Sequence, residues 1–210
     1  VVLAYVTSWS SVMPNPQVLT HINYAFGHVD STFAGVKVDN PQRLEAISAL
    51  KKKHPHLKVM LSVGGWGSGR FSEMAADPQL REKFAKDCRR GVRKYNLDGI
   101  DIDWEYPTVS AAGISASEND TENFTLLMRD IRKAVGKKKL LTLATVCNAK
   151  YIDFLAIMPY VDFVNIMAYD MTMNIAKHHS PLFVSENTSE LSAANSIEAH
   201  LAAGVPPHKL

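Results

Sequence analysis

Short apolar runs alternate with longer amphipathic stretches along the whole chain, and this alternation limits the architecture more than any other feature. The sequence predicts strands at Val2–Val6, His21–Phe26, Leu57–Val63, Leu97–Trp104, Leu140–Val146 and Val161–Ala168. Between them it predicts helices at Pro41–Lys53, Pro78–Tyr95, Glu118–Val135, Tyr151–Met158 and Ile197–Ala203. Leu44, Ile47 and Leu50 recur at helical spacing, Lys51–Lys53 suits a helix C-terminal pole, and Gly136 and Gly204 are stop signals. Strand, helix, strand without long hairpins means parallel strands joined by crossover helices. The Val-, Ile- and Leu-rich runs fit strands covered on both faces. Two α/β architectures then remain, a doubly wound open sheet and a (β/α)8 barrel. No Gly-x-Gly-x-x-Gly follows a strand and no Gly-x-x-x-x-Gly-Lys-Ser/Thr is present, so the nucleotide-binding open sheet loses its main support.

Composition excludes other classes. At 210 residues, 46% hydrophobic and 21% charged, the chain can bury a core and is not a disordered polymer. Lys and Arg total 23 against 21 Asp and Glu, a net charge of +2, which carries no signature for nucleic acid or an anionic membrane. No apolar run reaches the ~20 residues of a membrane span. The opening Val1–Val6 run is too short for a signal peptide and has no basic region before it. Cys88 and Cys147 cannot build a disulfide framework and are expected as free thiols.

The chemistry is concentrated in Leu97-Asp98-Gly99-Ile100-Asp101-Ile102-Asp103-Trp104-Glu105-Tyr106-Pro107. With period 2, Ile100, Ile102 and Trp104 share one face, and Asp101, Asp103 and Glu105 share the other. On an outer strand three carboxylates would point harmlessly into water. In a central parallel strand both faces are covered, and acids about 7 Å apart repel. Either a cation binds them or one carboxyl keeps its proton and acts as a general acid. Ligands at i, i+2 and i+4 lie in a row rather than around a point, so Mg2+ or Ca2+ is the weaker reading and neither a metal nor a cofactor is expected. A proton retained on Glu105 with Asp103 beside it is the chemistry of glycosidic cleavage. In a barrel Glu105 would lie at the C-terminal mouth, where barrel active sites sit. Asp98 has the opposite parity and is expected to be structural.

Asp98-x-x-Asp101-x-Asp103-x-Glu105 followed by Tyr106-Pro107 resembles the signature of glycoside hydrolase family 18, the chitinase family. Tyr5 with Trp9, Asn23-Tyr24-Ala25-Phe26, Ser62-Val63-Gly64-Gly65-Trp66 and Met167-Ala168-Tyr169-Asp170 are similar to its other strand motifs, in the same order. The resemblance covers the chain from about Leu3 to Leu210. It implies a TIM (β/α)8 barrel and retaining endo-hydrolysis of β-1,4 bonds in chitin or N-acetylglucosamine oligosaccharides, by an enzyme that is a secreted or periplasmic monomer. In such a reaction Glu105 is the acid and then the base, and the substrate's acetamido group is the nucleophile. Asp103 orients that group, Asp101 hydrogen-bonds Asp103 and shares its proton, and Tyr169 donates to the acetamido carbonyl. Tyr5, Phe26, Trp66, Tyr106, Met167 and Asp170 are expected to line the sugar site, and the Ala25–Phe26 and Glu105–Tyr106 peptides to be cis. His178 and His179 are expected in a loop bordering the cleft rather than as a metal pair. Asn119, Asn123 and Asn187 begin glycosylation sequons that matter only in a eukaryotic secretory route.

Two other functions compete with chitinase. One is an endo-β-N-acetylglucosaminidase acting on N-glycans. The other is a lectin-like binder that has lost catalysis, which the presence of Glu105 disfavours. The parse finds only about six βα units where a barrel has eight, in a chain shorter than the ~250 residues usual for that fold. The expectation is therefore a partial catalytic domain spanning residues 1–210, with strands seven and eight missing, open edges, and weak activity in isolation.

Overall fold

The computed structural model describes residues 1–172 and 176–210. Among them, strands β1 (Leu3–Thr7), β2 (His21–Val29), β4 (Lys58–Gly64), β5 (Gly99–Asp103), β6 (Leu140–Val146) and β7 (Phe163–Met167) pair in that order, all parallel. Helices α1 (Pro41–Ala49), α2 (Phe71–Ala76), α3 (Pro78–Lys94), α4 (Asp120–Val135), α5 (Phe154–Ile157) and α6 (Ala193–Ala202) lie in the connections. The βα alternation expected from the sequence is therefore present. Every predicted strand is found, although Leu97–Trp104 contracts to Gly99–Asp103 and leaves Glu105 just past the strand end.

The sheet is strongly curled, and one carboxylate shows it. Tyr5 of β1 and Asn165 of β7 both donate to Asp101 of β5, at 2.9 and 3.2 Å. In a flat sheet with ~4.8 Å between strands, β1 and β5 would stand roughly 14 Å apart, beyond the reach of a tyrosine. Side chains from opposite flanks meet at one point only if the sheet wraps around it, as in a barrel wall.

Local chemistry explains the helix starts. Asp77 accepts from the Gln79 and Leu80 amides ahead of Pro78, Asp153 accepts from Ala156, and Ser192 accepts from Asn195. The Ser192 cap begins α6 at Ala193, four residues before the predicted Ile197. The predicted Pro41–Lys53 helix tightens into a 3₁₀ turn at Leu50–Lys52. Two elements were not foreseen: the three-residue β3 (Val36–Val38), antiparallel to β2, and α2. Both are too short to show a period.

The core lies between the sheet and the helices. Ile100, Ile102 and Trp104 are buried with Phe84, Cys88 and Val92 of α3 and with Phe124, Leu127 and Ile131 of α4. Trp104 stacks on Phe71 at 5.3 Å and meets Phe124 edge-on at 5.6 Å. The even face of the acid strand is thus the hydrophobic anchor of the layer, and the odd face is turned inward. Cys88 and Cys147 are free and buried, as expected.

Candidate active site

Asp101, Asp103 and Glu105 run up the inner face of β5 toward its C-terminal end, from full burial to partial exposure. Asp101 is held by four donors. Its Oδ2 accepts from the Tyr5 hydroxyl (2.9 Å) and Ser62 Oγ (2.8 Å), and its Oδ1 accepts from Thr142 Oγ1 (2.5 Å) and Asn165 Nδ2 (3.2 Å). Burial still raises its pKa above the ordinary carboxylate value, and those hydrogen bonds oppose the rise.

Asp103 has no such support. It is 5% exposed and its Oδ1 has no partner among the described residues. Burial, then the charges of Glu105 and Asp101, push its pKa well above the usual range. Gly64 is its register partner on β4, and a Cβ there would sit 1.9 Å from the Asp103 carbonyl oxygen. Both Asp101 oxygens receive donors, from Tyr5, Ser62, Thr142 and Asn165, and the charge of Asp101 acts on Asp103.

Glu105 follows the strand, and its peptide to Tyr106 is cis, as is Ala25–Phe26. Its pKa is raised by burial, lowered by the Tyr106 hydroxyl and raised again by Asp170. Tyr169 lies within the field of the same acids. Burial first, then Asp103, Glu105 and Asp170, push its hydroxyl up to about 12, so at neutral pH it remains a hydrogen-bond donor. Its ring stacks on His179, whose Nδ1 is 3.5 Å from Asp170 Oδ1. The histidine loop therefore borders the acids.

The aromatic residues divide. Trp66 stands 61% exposed and meets Tyr106 edge-on at 6.4 Å, and Tyr106 stacks on Tyr151 at 5.6 Å. Phe26 lies against Gly65, where a Cβ would come within 2.9 Å of its ring. Met167 ends β7, half-buried, in register with Val146. Tyr5, 38% exposed, donates its hydroxyl to Asp101. Asp98 is structural, accepting from Lys51 Nζ (2.7 Å) and the Val59 amide (2.8 Å).

Sequence reasoning missed Tyr151, Thr142 and Asn165. Thr142 and Asn165 did leave a signal, since each is a polar residue in a mainly apolar strand. Tyr151 did not, because its left-handed backbone (φ 71°) sets its place and follows no period.

With this geometry established, comparison with known proteins is decisive. The profile of glycosyl hydrolases family 18 matches residues 1–210. The chain belongs to glycoside hydrolase family 18. Among family 18 relatives, probable chitinase 2 of Drosophila melanogaster is 34% identical over all of this chain and 49% of its own length. Chitinase A1 of Niallia circulans is 43% identical over 57% of this chain and 19% of its own. The chitinase domain of the spore coat protein CotE from Clostridium difficile superposes with a TM-score of 0.94 at 35% identity, over 99% of this chain and 63% of that one. A family 18 N-acetylglucosaminidase from Paenibacillus barengoltzii gives 0.91 at 36%, over 100% and 66%. The chain thus spans about half the length of the Drosophila relative.

Proposed function

We propose that this chain carries the acid and the acetamido-orienting residues of a chitinase. The observation that carries this reading is the gradient along one strand face: Asp101 fixed by four donors, Asp103 buried with its pKa raised, and Glu105 at the strand exit with its pKa raised by burial. A carboxyl whose pKa is raised by burial holds its proton to higher pH and can protonate a leaving glycosidic oxygen.

In the proposed reaction Glu105 donates that proton. The substrate's own acetamido oxygen attacks the anomeric carbon, which needs no protein nucleophile and gains from being already attached. Asp103 accepts the acetamido N–H and balances the developing positive charge. Tyr169 donates to the acetamido carbonyl. Glu105, now ionised, takes a proton from the water that opens the oxazolinium ion, which restores the enzyme with the anomeric configuration retained. Trp66, Tyr106 and Tyr151 offer faces to sugar rings, and Phe26, Met167 and Asp170 complete the lining. The substrate is chitin or an N-acetylglucosamine oligosaccharide.

Likeness to the Paenibacillus N-acetylglucosaminidase keeps release of single sugars as a second reading. Secretion also belongs to the proposal, and none of the described helices is long and apolar enough to cross a membrane. The test is turnover of chitin oligosaccharides by the full-length protein and its Glu105→Gln variant, with an N-glycan and a lectin-type binding assay alongside. Cleavage of chitin oligosaccharides that disappears in Glu105→Gln supports the reading. Binding without cleavage, or cleavage of the N-glycan alone, overturns it.

A further inference from the structure

One buried carboxylate away from the acid row ties together the two loops that carry the cleft's central aromatic residues. Asp120 is the first residue of α4 and is fully buried. Its Oδ1 accepts from Ser72 Oγ of α2 at 2.7 Å. Its Oδ2 accepts from the Ser117 amide (2.8 Å) and the Thr108 amide (3.2 Å). Ser117 and Thr108 lie near the two ends of the excursion from Trp104 to Asn119, and Thr108 is three residues from Glu105. Ser72 stands on the helix that directly follows the Gly64–Arg70 loop bearing Trp66.

The two loops also touch. A Cβ at Gly69 would lie 3.6 Å from Ile114 Cγ2, and one at Gly67 would lie 3.8 Å from the Ala112 carbonyl oxygen. The backbone within the excursion is unusual, with Thr108 at φ 67° and Ala112 at φ 51°, so its path is set by its contacts and not by local preference. A fully buried acceptor that satisfies three donors from separate segments fixes their relative positions more tightly than apolar packing does, because each bond has a direction as well as a distance.

We propose that Asp120 is a positioning residue for the family 18 reaction: by holding Thr108 and Ser117 it fixes the loop that aims Glu105, and by holding Ser72 it fixes the Trp66 loop against Tyr106. Asp120 touches neither substrate nor the reacting atoms in this role. The inference rests on the chitinase reading for its kinetic consequence, though the tether itself does not.

The test separates positioning from plain stability through the leaving group. A sugar alkoxide leaves only when protonated, whereas a dinitrophenolate leaves without help, so a misaimed acid slows the first and spares the second. In the full-length protein, Asp120→Ala removes the acceptor from all three donors. It is expected to lower kcat on a chitin oligosaccharide at least tenfold, with KM within threefold. Single-turnover release of dinitrophenolate, which needs no acid and precedes the base-assisted water step, should stay within threefold. Amide exchange at Thr108 and Ser117 should rise at least tenfold. Ser72→Ala, which leaves both amide bonds in place but releases the Trp66 loop, is expected to keep their protection and to raise KM for longer oligosaccharides about threefold. Equal losses on both substrates, or exchange unchanged at Thr108 and Ser117, overturn the proposal. If the wild type cleaves neither substrate, the chitinase reading fails and the exchange measurement alone judges the tether. If Asp120→Ala does not fold, Asp120→Glu, which keeps a carboxyl and shifts it by one methylene, is read by the same criteria.

Discussion

Tyr5 and Asp101 lie 96 positions apart, on strands with two others between them, and the tyrosine hydroxyl donates to the carboxylate at 2.9 Å. This one bond reports the curl of the sheet and also ties the first strand to the base of the acid row. Tyr5→Phe removes one of four donors to a buried carboxylate, a loss of about 1–3 kcal/mol by the usual cost of an abandoned partner. The expected result is a lower midpoint in denaturant titration and a kcat lowered by about tenfold.

Asp103 contributes to the pH dependence of stability, as the raised Asp101 and Glu105 also do. The folded pKa of Asp103 is raised, so between its unfolded value near 4 and its folded value the native state binds more protons than the unfolded chain. Stability from this group is therefore full below the unfolded pKa and is lost as pH rises through the folded one. Each unit of elevation costs the ionised fold about 1.4 kcal/mol. Asp103→Asn should melt higher than wild type at pH 7–8, lose catalysis, and converge with wild type below pH 4. Thermal melts across that range check it, and a variant that is less stable at pH 8 contradicts it.

Gly64 permits the close approach of β4 to β5. Its φ is 133°, and a Cβ would sit 1.9 Å from the Asp103 carbonyl oxygen, a backbone atom that cannot swing away. Gly64→Ala should destabilise by more than about 3 kcal/mol, read by chemical denaturation. A loss below about 1 kcal/mol would mean that the strands can part without penalty.

Trp66 projects 61% exposed beside Tyr106. Its truncation removes a stacking face and no proton-transfer group. Trp66→Ala is expected to raise KM for longer oligosaccharides by about three- to tenfold, a stacking contribution of about 0.5–1.5 kcal/mol. Its kcat should stay within about twofold. Oligosaccharide kinetics by length test this, and an unchanged KM contradicts it.

Much of this was legible in the chain because two periods coincide with burial. The alternation of Asp101, Asp103 and Glu105 with Ile100, Ile102 and Trp104 states which face is inward, and the helical spacing of Leu44 and Ile47 finds α1. What was not legible depends on contacts without a period. The donors to Asp101 are one case, because Thr142 and Asn165 come from later strands and meet it only when the sheet curls. Tyr151 reaches Tyr106 through an unusual backbone angle, and Asp120 reads in sequence as an ordinary helix start although it is the buried end of three hydrogen bonds.

The central claim is that Glu105 supplies the proton while the substrate supplies the nucleophile. The most direct measurement is the anomeric form of the first product from a chitin oligosaccharide, followed by NMR, for the full-length wild type and Glu105→Gln. The account predicts that the β-anomer appears first and that turnover falls about 10²–10⁴-fold in the variant, the usual contribution of a general acid. An α-anomer as first product, or undiminished turnover by Glu105→Gln, would contradict it.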